Sequence, residues 1–383
     1  MRFEFATANR IVFGSGTLDE AAPATRGLGR KALVVVGASA GRAAGLLDRL
    51  AGEGVATSLY QVRGEPTIEA VMAGTELARA AGCELVIGLG GGSPLDTGKA
   101  IAALLTNPGD IHDYLEVVGK GQPLANPPAA YIAIPTTAGT GSEVTRNAVL
   151  TASRQRTKVS LRSPLMLPRL AIVDPELTYG LPPQVTATSG MDAITQLIEP
   201  FVSNAANPIA DAFCRAGLER AAQALPRAYA EDDPQAREDM ALASLLGGLA
   251  LASARLGAVH ALAGPIGGMF AAPHGALCAR LLPVVLETNL EALRERAPQS
   301  PVLARFTETA RMLTGRPEAR AEDGPARLKE LCAAFDIPPL AAYGIQDLDL
   351  PAIAEQAKRA NSMKGNPIEL TDEEITEILK QAL

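Results

Sequence analysis

Residues 85–105 read LVIGLGGGSPLDTGKAIAALL, and this stretch decides the class of fold. Its first five residues are an apolar run typical of a buried strand, and the apolar spacing after the glycines predicts a helix. Glycines between a strand and a helix let the backbone approach an anion closely. We place Ser93 at the N-cap, Pro94 at N1 and Asp96 at N3, which resembles a capping box. Free N–H groups at the helix start then predict a pyrophosphate site, with a plain connecting turn as the alternative.

Further short apolar runs flank this stretch and alternate with helical patterns. The predicted strands are residues 32–36, 57–62, 85–89, 131–134 and 170–173. Strands with little alternation, separated by helices, indicate a parallel sheet covered on both faces. From about residue 180 onward the pattern is alanine- and leucine-rich, with helices expected at 235–255 and 301–314. The fold class is therefore α/β followed by all-α, with a boundary near 178–185 and domains at 1–182 and 183–383.

The bulk composition excludes several classes of protein. The 383 residues carry a net charge of −7, which argues against non-specific nucleic-acid binding. The start lacks the pattern of a signal peptide, and no apolar run reaches the length of a membrane span. The four cysteines are scattered without a CxxC pair, so we expect neither a disulfide framework nor a thiolate zinc site. We expect a cytoplasmic protein that binds neither membrane nor nucleic acid.

A second loop, PTTAGTGSEVT at residues 135–145, follows another predicted strand. Its hydroxyl groups and glycines suit contacts with ribose and phosphate, although a plain turn rich in serine and threonine has the same composition.

These two loops together resemble those of the iron-containing (group III) alcohol dehydrogenase family. The resemblance continues in order along nearly the whole chain. It is carried by FGSG at 13–16, DPELT at 174–178, SGMDA at 189–193, GAVHALA at 257–263, APHG at 272–275, RANSM at 359–363 and NP at 366–367.

This resemblance implies a dehydroquinate synthase-like fold, with a dinucleotide-binding domain and an all-helical metal- and substrate-binding domain. It implies an NAD(P)-linked alcohol dehydrogenase, or aldehyde or ketone reductase, with hydride transfer between nicotinamide and a metal-bound alcohol or carbonyl. It also implies a homodimer or larger homo-oligomer, in which residues 3–13 could pair across the dimer. The alternatives are a metal-independent reductase resembling the maleylacetate reductases, a dehydroquinate synthase-type lyase and a non-enzymatic binding protein. The lyase is disfavoured because residues 184–200 contain no lysine or arginine for a phosphorylated substrate.

The resemblance assigns the nucleotide-binding residues to the two loops and to one lysine. These are Gly91, Gly92, Ser93 and Asp96 near the pyrophosphate, Thr136, Thr137 and Thr140 along the nucleotide, and Lys158 at the ribose. Taken alone, Lys158 would be an ordinary solvated lysine.

The end of the first predicted strand bears on the choice between NAD and NADP. Gly37 and Ser39 lie there, and residues 37–42 contain no carboxylate to bind a ribose 2′-hydroxyl. Ser39 and Arg42 could instead hold a 2′-phosphate. We therefore expect NADP(H) to be accepted, although Arg42 is equally typical of a solvated helix residue.

By the same resemblance, the metal ligands are Asp192, Gln196, His260 and His274, and Asp192, His260 and His274 are also catalytic. Asp192 and Gln196 are spaced i, i+4 and share a helix face. Gln196 stands where the family has a histidine, and its neutral amide oxygen is a weaker ligand for Fe²⁺ or Zn²⁺. A metal-free site, in which Gln196 hydrogen-bonds the substrate, is the alternative. His112 is interpreted as a surface residue.

Gly264 is a second departure, since the family usually has a histidine here that aids proton exchange. Glycine leaves space for about one imidazole, one helical turn after His260. We expect a bulkier substrate and a proton that travels through water or the cofactor ribose. Reduced activity is the alternative.

Overall fold

The computed structural model describes residues 2–383. These residues form two compact units. One comprises residues 6–179, and the other comprises residues 180–383 together with residues 2–5.

The first unit is built on a six-stranded parallel sheet. Its strands run in the order β1-β8-β5-β4-β2-β3, and a separate antiparallel hairpin joins β6 to β7. The strands are β1 (Ile11–Phe13), β2 (Lys31–Val36), β3 (Ala56–Gln61), β4 (Leu85–Gly90), β5 (Ala130–Pro135), β6 (Asn147–Ala152), β7 (Thr157–Arg162) and β8 (Leu170–Val173). The predicted parallel sheet is confirmed, with each predicted strand within one residue of an observed one.

Three strands were not predicted. β1 has only three residues and pairs in parallel with β8, from Ile11 opposite Ala171 to Phe13 opposite Val173. The β6–β7 hairpin alternates buried and half-buried positions rather than forming a continuous apolar run. β1 lies at the sheet edge, so pairing of residues 3–13 across a dimer stays a prediction.

Apolar side chains cover the sheet on both faces, which explains why its strands read as continuous apolar runs. Leu33 and Val35 of β2 point into one core, and Val34 and Val36 into the other. The helices of this unit are α1 (Ala21–Ala24), α2 (Ala44–Gly52), α3 (Ile68–Ala81), α4 (Gly92–Thr106) and α5 (Ile111–Tyr114).

The start of α4 differs from the predicted cap. Gly91 is the N-cap and makes no side-chain cap hydrogen bond, so Ser93 lies inside the first turn and Pro94 is not at N1. The Asp96 carboxylate does not close a capping box. It accepts hydrogen bonds from Ser142 Oγ at 2.5 Å and from the Val149 amide at 3.0 Å. The prediction was wrong because residues distant in the chain supply better partners for this carboxylate than the helix start does.

The second unit is helical, as predicted. Its helices are α6 (Pro183–Val202), α7 (Pro208–Glu231), α8 (Pro234–Ser253), α9 (Ala258–Met269), α10 (His274–Arg296), α11 (Val302–Thr314), α12 (Asp323–Ala334), α13 (Leu350–Arg359) and α14 (Asp372–Ala382). α6 is central and contacts α7, α8 and α10. Its residues from Gly190 to Val202 are all buried, which holds the polar side chains of this stretch in a rigid setting.

Within residues 2–383, no single helix has the length and apolarity needed to cross a membrane. α8 and α9 pass the same test only as a pair, and they are bent by 100° relative to each other.

Candidate metal centre and nucleotide loops

Asp192 and Gln196 lie on successive turns of α6, and both are buried. The Gln196 amide nitrogen Nε2 donates a hydrogen bond to Asp192 Oδ2 at 3.1 Å. The other oxygen, Asp192 Oδ1, is buried and accepts no hydrogen bond from any residue in the described part of the chain. A buried carboxylate oxygen without a donor is costly, so this atom has the character of a ligand awaiting a cation.

His260, in the first turn of α9, faces that oxygen. Its Nε2 lies 3.5 Å from Asp192 Oδ1, and its Nδ1 lies 2.6 Å from Glu199 Oε2. The second oxygen of Glu199 accepts a hydrogen bond from the Val259 amide at 2.7 Å, which locks the carboxylate in place. Glu199 thus orients the imidazole so that Nε2 faces Asp192 Oδ1, as in a carboxylate–histidine–metal arrangement.

Glu199 was not singled out from the sequence, although a signal was present. It lies seven residues after Asp192 in α6, which is two helical turns and therefore the same face. An acidic residue in an otherwise apolar and buried stretch of helix indicates a buried partner.

His274 and Cys278 complete the cluster from successive turns of α10. Cys278 Sγ lies 3.6 Å from His274 Nε2 and 4.0 Å from His260 Nε2, and His274 Nε2 lies 3.9 Å from Asp192 Oδ1. One ligand atom from each of Asp192, His260, His274 and Cys278 lies within 4.8 Å of every other. Three of the four predicted ligands thus lie around one point together with a thiol, and the fourth, Gln196, hydrogen-bonds Asp192.

A thiolate ligand was not expected because the cysteines form no CxxC pair, yet Cys278 Sγ lies among the predicted metal ligands. The informative spacing was that of a histidine and a cysteine, four residues apart in one helix. All four cysteines are free, which agrees with the absence of a disulfide framework.

The four side chains shift one another's protonation. Burial alone would raise the pKa of Asp192, but the imidazoles of His260 and His274 outweigh it and lower that pKa to about 2. Burial opposes a charge on His260, yet Cys278, Glu199 and Asp192 raise its pKa well above the ordinary value. Burial raises the pKa of the Cys278 thiol to about 12. The carboxylate is therefore ionised across the whole physiological range.

This donor set fits a divalent transition metal. A tetrahedral ion with bonds of about 2.0–2.3 Å separates its ligand atoms by roughly 3.3–3.7 Å. The observed separations of 3.5, 3.6, 3.9 and 4.0 Å between these ligand atoms lie close to that range. Carboxylate, imidazole and thiol together are donors for iron, cobalt or zinc rather than for calcium or magnesium.

The surroundings of Gly264 and His112 also agree with what the sequence predicts for them. A Cβ built on Gly264 in α9 would meet no atom within 4 Å, which supports the predicted open space one turn after His260. His112 lies in α5 with a side chain that is 44% exposed and an ion pair to Asp110 at 2.7 Å, so its interpretation as a surface residue is confirmed.

In the first unit, the glycine loop and the threonine loop lie against each other. The Thr136 amide donates to the Gly90 carbonyl at 2.9 Å. A Cβ on Gly91 would lie 3.2 Å from Thr137 Oγ1, and a Cβ on Gly92 would lie 2.8 Å from Thr140 Cγ2. Glycine is therefore required at position 92 by the close approach of the second loop.

Lys99 joins these two loops and was not singled out from the sequence. Its side chain is fully buried in α4, and its Nζ donates to the Ser142 carbonyl at 2.7 Å and the Asn147 carbonyl at 2.9 Å. Nζ also bonds the hydroxyls of Ser142 and Thr145, both at 3.1 Å. Burial lowers the pKa of Lys99 to about 8, while Asp96 and Glu143 oppose that shift.

Of the remaining residues predicted to bind the nucleotide, Lys158 and Arg42 bond other residues of the chain. Lys158 Nζ lies 2.8 Å from Glu65 Oε2, and its side chain is 9% exposed, so it is not a solvated lysine. The Arg42 guanidinium donates to the carbonyls of Leu177 and Tyr179, both at 3.0 Å. Ser39 is exposed just beyond the end of β2.

Comparison with known proteins places both units in one family. A family model described as iron-containing alcohol dehydrogenase matches residues 8–175, and the C-terminal model of the same family matches residues 186–383. Alcohol dehydrogenase 4 of Schizosaccharomyces pombe is 37% identical over 379 residues, covering 97% of this chain and 87% of that protein. Lactaldehyde reductase of Escherichia coli is 33% identical over 393 residues, covering 98% of this chain and 100% of that protein.

The solved structures agree with the sequence comparisons. The crystal structure of a 1,3-propanediol oxidoreductase matches with a TM-score of 0.90 and 33% identity, covering all of both chains. The predicted fold class is thereby confirmed, as is the predicted enzyme class, a nicotinamide-linked oxidoreductase acting on CH–OH groups. The chain belongs to the iron-containing alcohol dehydrogenase family.

Proposed function

We propose that this enzyme is a metal-dependent, NAD(P)-linked alcohol dehydrogenase that also reduces aldehydes or ketones, with Asp192, His260 and His274 as metal ligands. The observation that carries this proposal is the convergence of two imidazole nitrogens, at 3.5 and 3.9 Å, on one buried carboxylate oxygen that has no hydrogen-bond donor. A divalent cation held there would act as a Lewis acid toward an alcohol or carbonyl oxygen.

The surrounding residues orient the ligands. Glu199 holds His260 so that its Nε2 faces Asp192 Oδ1, and Gln196 holds Asp192 by its second oxygen. Ligation by Gln196 itself stays a prediction. His274 is the most exposed of the three proposed ligands, with a side chain that is 27% exposed compared with 10% for His260. We infer that substrate reaches the cluster from the side of His274.

For the nucleotide, we propose that the loop before α4 holds the pyrophosphate through backbone N–H groups at the helix start. The contacting residues in this proposal are Gly91, Gly92 and Ser93, with Thr136, Thr137 and Thr140 along the nucleotide and Lys158 near the ribose. Asp96 contributes by holding Ser142 of the neighbouring loop. The tight packing of the two loops supports this assignment, because a preformed loop loses little entropy on binding.

We further propose that the enzyme accepts NADP(H) at Gly37 and Ser39, at the end of β2. Residues 37–42 contain no carboxylate that would repel a 2′-phosphate. Two of the Arg42 N–H donors already bond carbonyls, so its contribution to phosphate binding is indirect. Turnover with NADH and none with NADPH would refute this choice.

The proton of the substrate hydroxyl needs a route, since Gly264 has no side chain to accept it. The open space around Gly264 supports a water in that role, or a substrate wider than a linear alcohol. The names of two relatives, lactaldehyde reductase and 1,3-propanediol oxidoreductase, support a small-molecule substrate. We also propose a cytoplasmic homodimer or larger homo-oligomer.

The test is metal content together with activity. The protein, purified without chelator, should contain close to one divalent ion per chain and turn over alcohols and aldehydes with NADH or NADPH. Chelation should abolish turnover, and added Fe²⁺ or Zn²⁺ should restore it.

A pair of histidine variants supplies the control. His274→Ala should lose both the metal and the activity, whereas His112→Ala should keep both because His112 lies on the surface. Full activity in metal-free protein would instead support the metal-independent reductase.

A further inference from the structure

Cys278 is placed as a ligand, although the family resemblance assigns it no role. The residue is fully buried, and its Sγ lies 3.6 Å and 4.0 Å from the two imidazole nitrogens that face Asp192 Oδ1. Sγ and the Asp192 ligand oxygen also lie within 4.8 Å of each other. α10 therefore supplies two ligand atoms from successive turns, a usual way for one helix to hold an ion.

Gln196 is the other candidate for a fourth ligand, but its amide group hydrogen-bonds the carboxylate of Asp192. Its Nε2 donates to Asp192 Oδ2, and only the nitrogen of an amide can donate to a carboxylate. Turning the amide over would set two acceptor oxygens, Gln196 Oε1 and Asp192 Oδ2, against each other. The contact with Asp192 therefore commits the amide nitrogen, and ligation by Gln196 would need its other atom, Oε1.

We propose that Cys278 is the fourth protein ligand of this site and that its sulfur makes the site prefer Zn²⁺ to Fe²⁺. The inference rests on the metal-dependent function proposed above. A thiolate is a soft ligand that favours zinc, whereas carboxylate and imidazole serve both ions. The sulfur binds as thiolate and its proton passes to solvent. With these four residues as ligands, substrate could still bind the ion, because zinc also accepts five ligands.

The decisive experiment uses Co²⁺ as a spectroscopic substitute for Zn²⁺ in the otherwise intact enzyme. Wild-type protein, stripped of metal and reloaded with one Co²⁺ per chain, should show a sulfur-to-cobalt charge-transfer band in the near ultraviolet. Cys278→Ser should lose this band, and Gln196→Ala should retain it. Cys332→Ser is the matched control, because Cys332 is also buried but bonds the Ala279 carbonyl instead.

The outcomes separate this inference from the proposed function. One Co²⁺ per chain without a sulfur band in the wild-type spectrum overturns the role of Cys278 but leaves metal dependence standing. No bound Co²⁺ at all overturns both proposals. Since the wild-type spectrum alone decides the first point, the result does not depend on the folding of any variant.

Metal preference is the second measurement. Wild-type enzyme and Cys278→Ser are dialysed anaerobically against equal concentrations of Zn²⁺ and Fe²⁺, and the bound ions are counted. The ratio of bound zinc to bound iron should fall in the variant, because a hydroxyl oxygen is a harder donor than a thiolate and does not favour zinc. An unchanged ratio overturns the claim that the sulfur sets the preference.

Discussion

Each of the two units buries a cluster of charged side chains, and the clusters differ in how their hydrogen bonds are satisfied. In the α/β unit, Lys99 Nζ has four oxygen partners between 2.7 and 3.1 Å, and Asp96 lies 3.8 Å away. In the helical unit, Asp192 Oδ1 accepts no hydrogen bond from the described residues, although two imidazole nitrogens lie within 4.0 Å.

This difference distinguishes a structural charge from a functional one. A buried ammonium surrounded by acceptors holds backbone segments together and has no further capacity to bind a ligand. A buried carboxylate oxygen without a hydrogen-bond donor lowers the stability of the folded protein. Such an arrangement is retained where a bound ligand compensates for that loss. The complete set of hydrogen bonds around Lys99 therefore indicates that it supports the nucleotide loops. The missing hydrogen bond at Asp192 Oδ1 indicates a metal site.

Replacing the unsatisfied carboxylate should give the largest effect. Asp192→Asn should lose bound metal and lower kcat/KM by about 10⁴-fold, because Lewis-acid stabilisation supplies several kcal/mol. The unfolding free energy of the metal-free protein should fall as well, because the lowered pKa of Asp192 means that the folded chain stabilises its carboxylate even without a metal. Asp239→Asn, in α8, is the control and should keep its metal. If Asp192→Asn retained metal and activity, Asp192 would not be a metal ligand, and the cluster around it would be as structural as the one around Lys99.

Breaking the satisfied cluster should instead change stability. Lys99→Met should lower the free energy of unfolding by about 3 kcal/mol, because it leaves buried acceptors without a donor. It should also raise the KM for the nucleotide, as the two loops separate. Urea titration and initial-rate kinetics measure the two effects.

The matched control for that variant is an exposed lysine. Lys329 pairs with Glu287 at 2.6 Å, but the two side chains are 51% and 40% exposed, so Lys329→Met should change stability by less than about 1 kcal/mol. Equal losses in both variants would remove the special role of Lys99.

Weakening the support of a ligand should have an intermediate effect on the metal site. Glu199→Gln keeps the shape of the partner of His260 but removes its charge. Metal affinity should fall by about 10–100-fold, as measured by competition with a chelator, while the metal count at saturation stays at one per chain. Glu231→Gln, at the end of α7, should leave affinity unchanged. A complete loss of binding would make Glu199 a ligand rather than a positioning residue.

The pH dependence of stability tests the cluster around Lys99 without removing the lysine. Burial raises the pKa of Glu143 from 4.5 to about 7, so between those values the folded state keeps a proton that the unfolded state has lost. Stability from this group is therefore present below pH 4.5 and declines as the pH rises toward 7. Glu143→Gln should equal wild type near pH 4.5 and exceed it by about 3 kcal/mol at pH 8, since each unit of pKa difference is worth about 1.4 kcal/mol. A constant difference at all pH values would contradict this.

The smallest expected effect concerns the space beside the metal site. Gly264→His should raise kcat/KM for short linear alcohols, by up to about 10-fold, by supplying a proton acceptor. Gly264→Ala is the control, since a Cβ fits there without meeting an atom within 4 Å. It should fill part of the space without moving a proton, and an equal gain in both variants would mean that space alone matters.

Much of the fold was predictable because its signals are local. The apolar run of β4 and the helical spacing of α11 each lie within about a dozen residues, and both elements are observed within one residue of their predicted bounds. The ligands His260 and His274 were also accessible, because the chain has only three histidines and two of them lie in motifs that the family resemblance covers.

The amino-acid sequence alone thus predicts the strands, the helices and the family. It does not predict which side chains contact each other, because those contacts depend on which distant segments pack together. Asp96 bonds a hydroxyl 46 residues further along instead of its own helix start, and Cys278 meets an imidazole 18 residues earlier in the chain. Local patterns set which residues are buried and which backbone they adopt. Packing of α6, α9 and α10 then determines which buried atoms meet and which carboxylate oxygen stays free of donors for a metal ion.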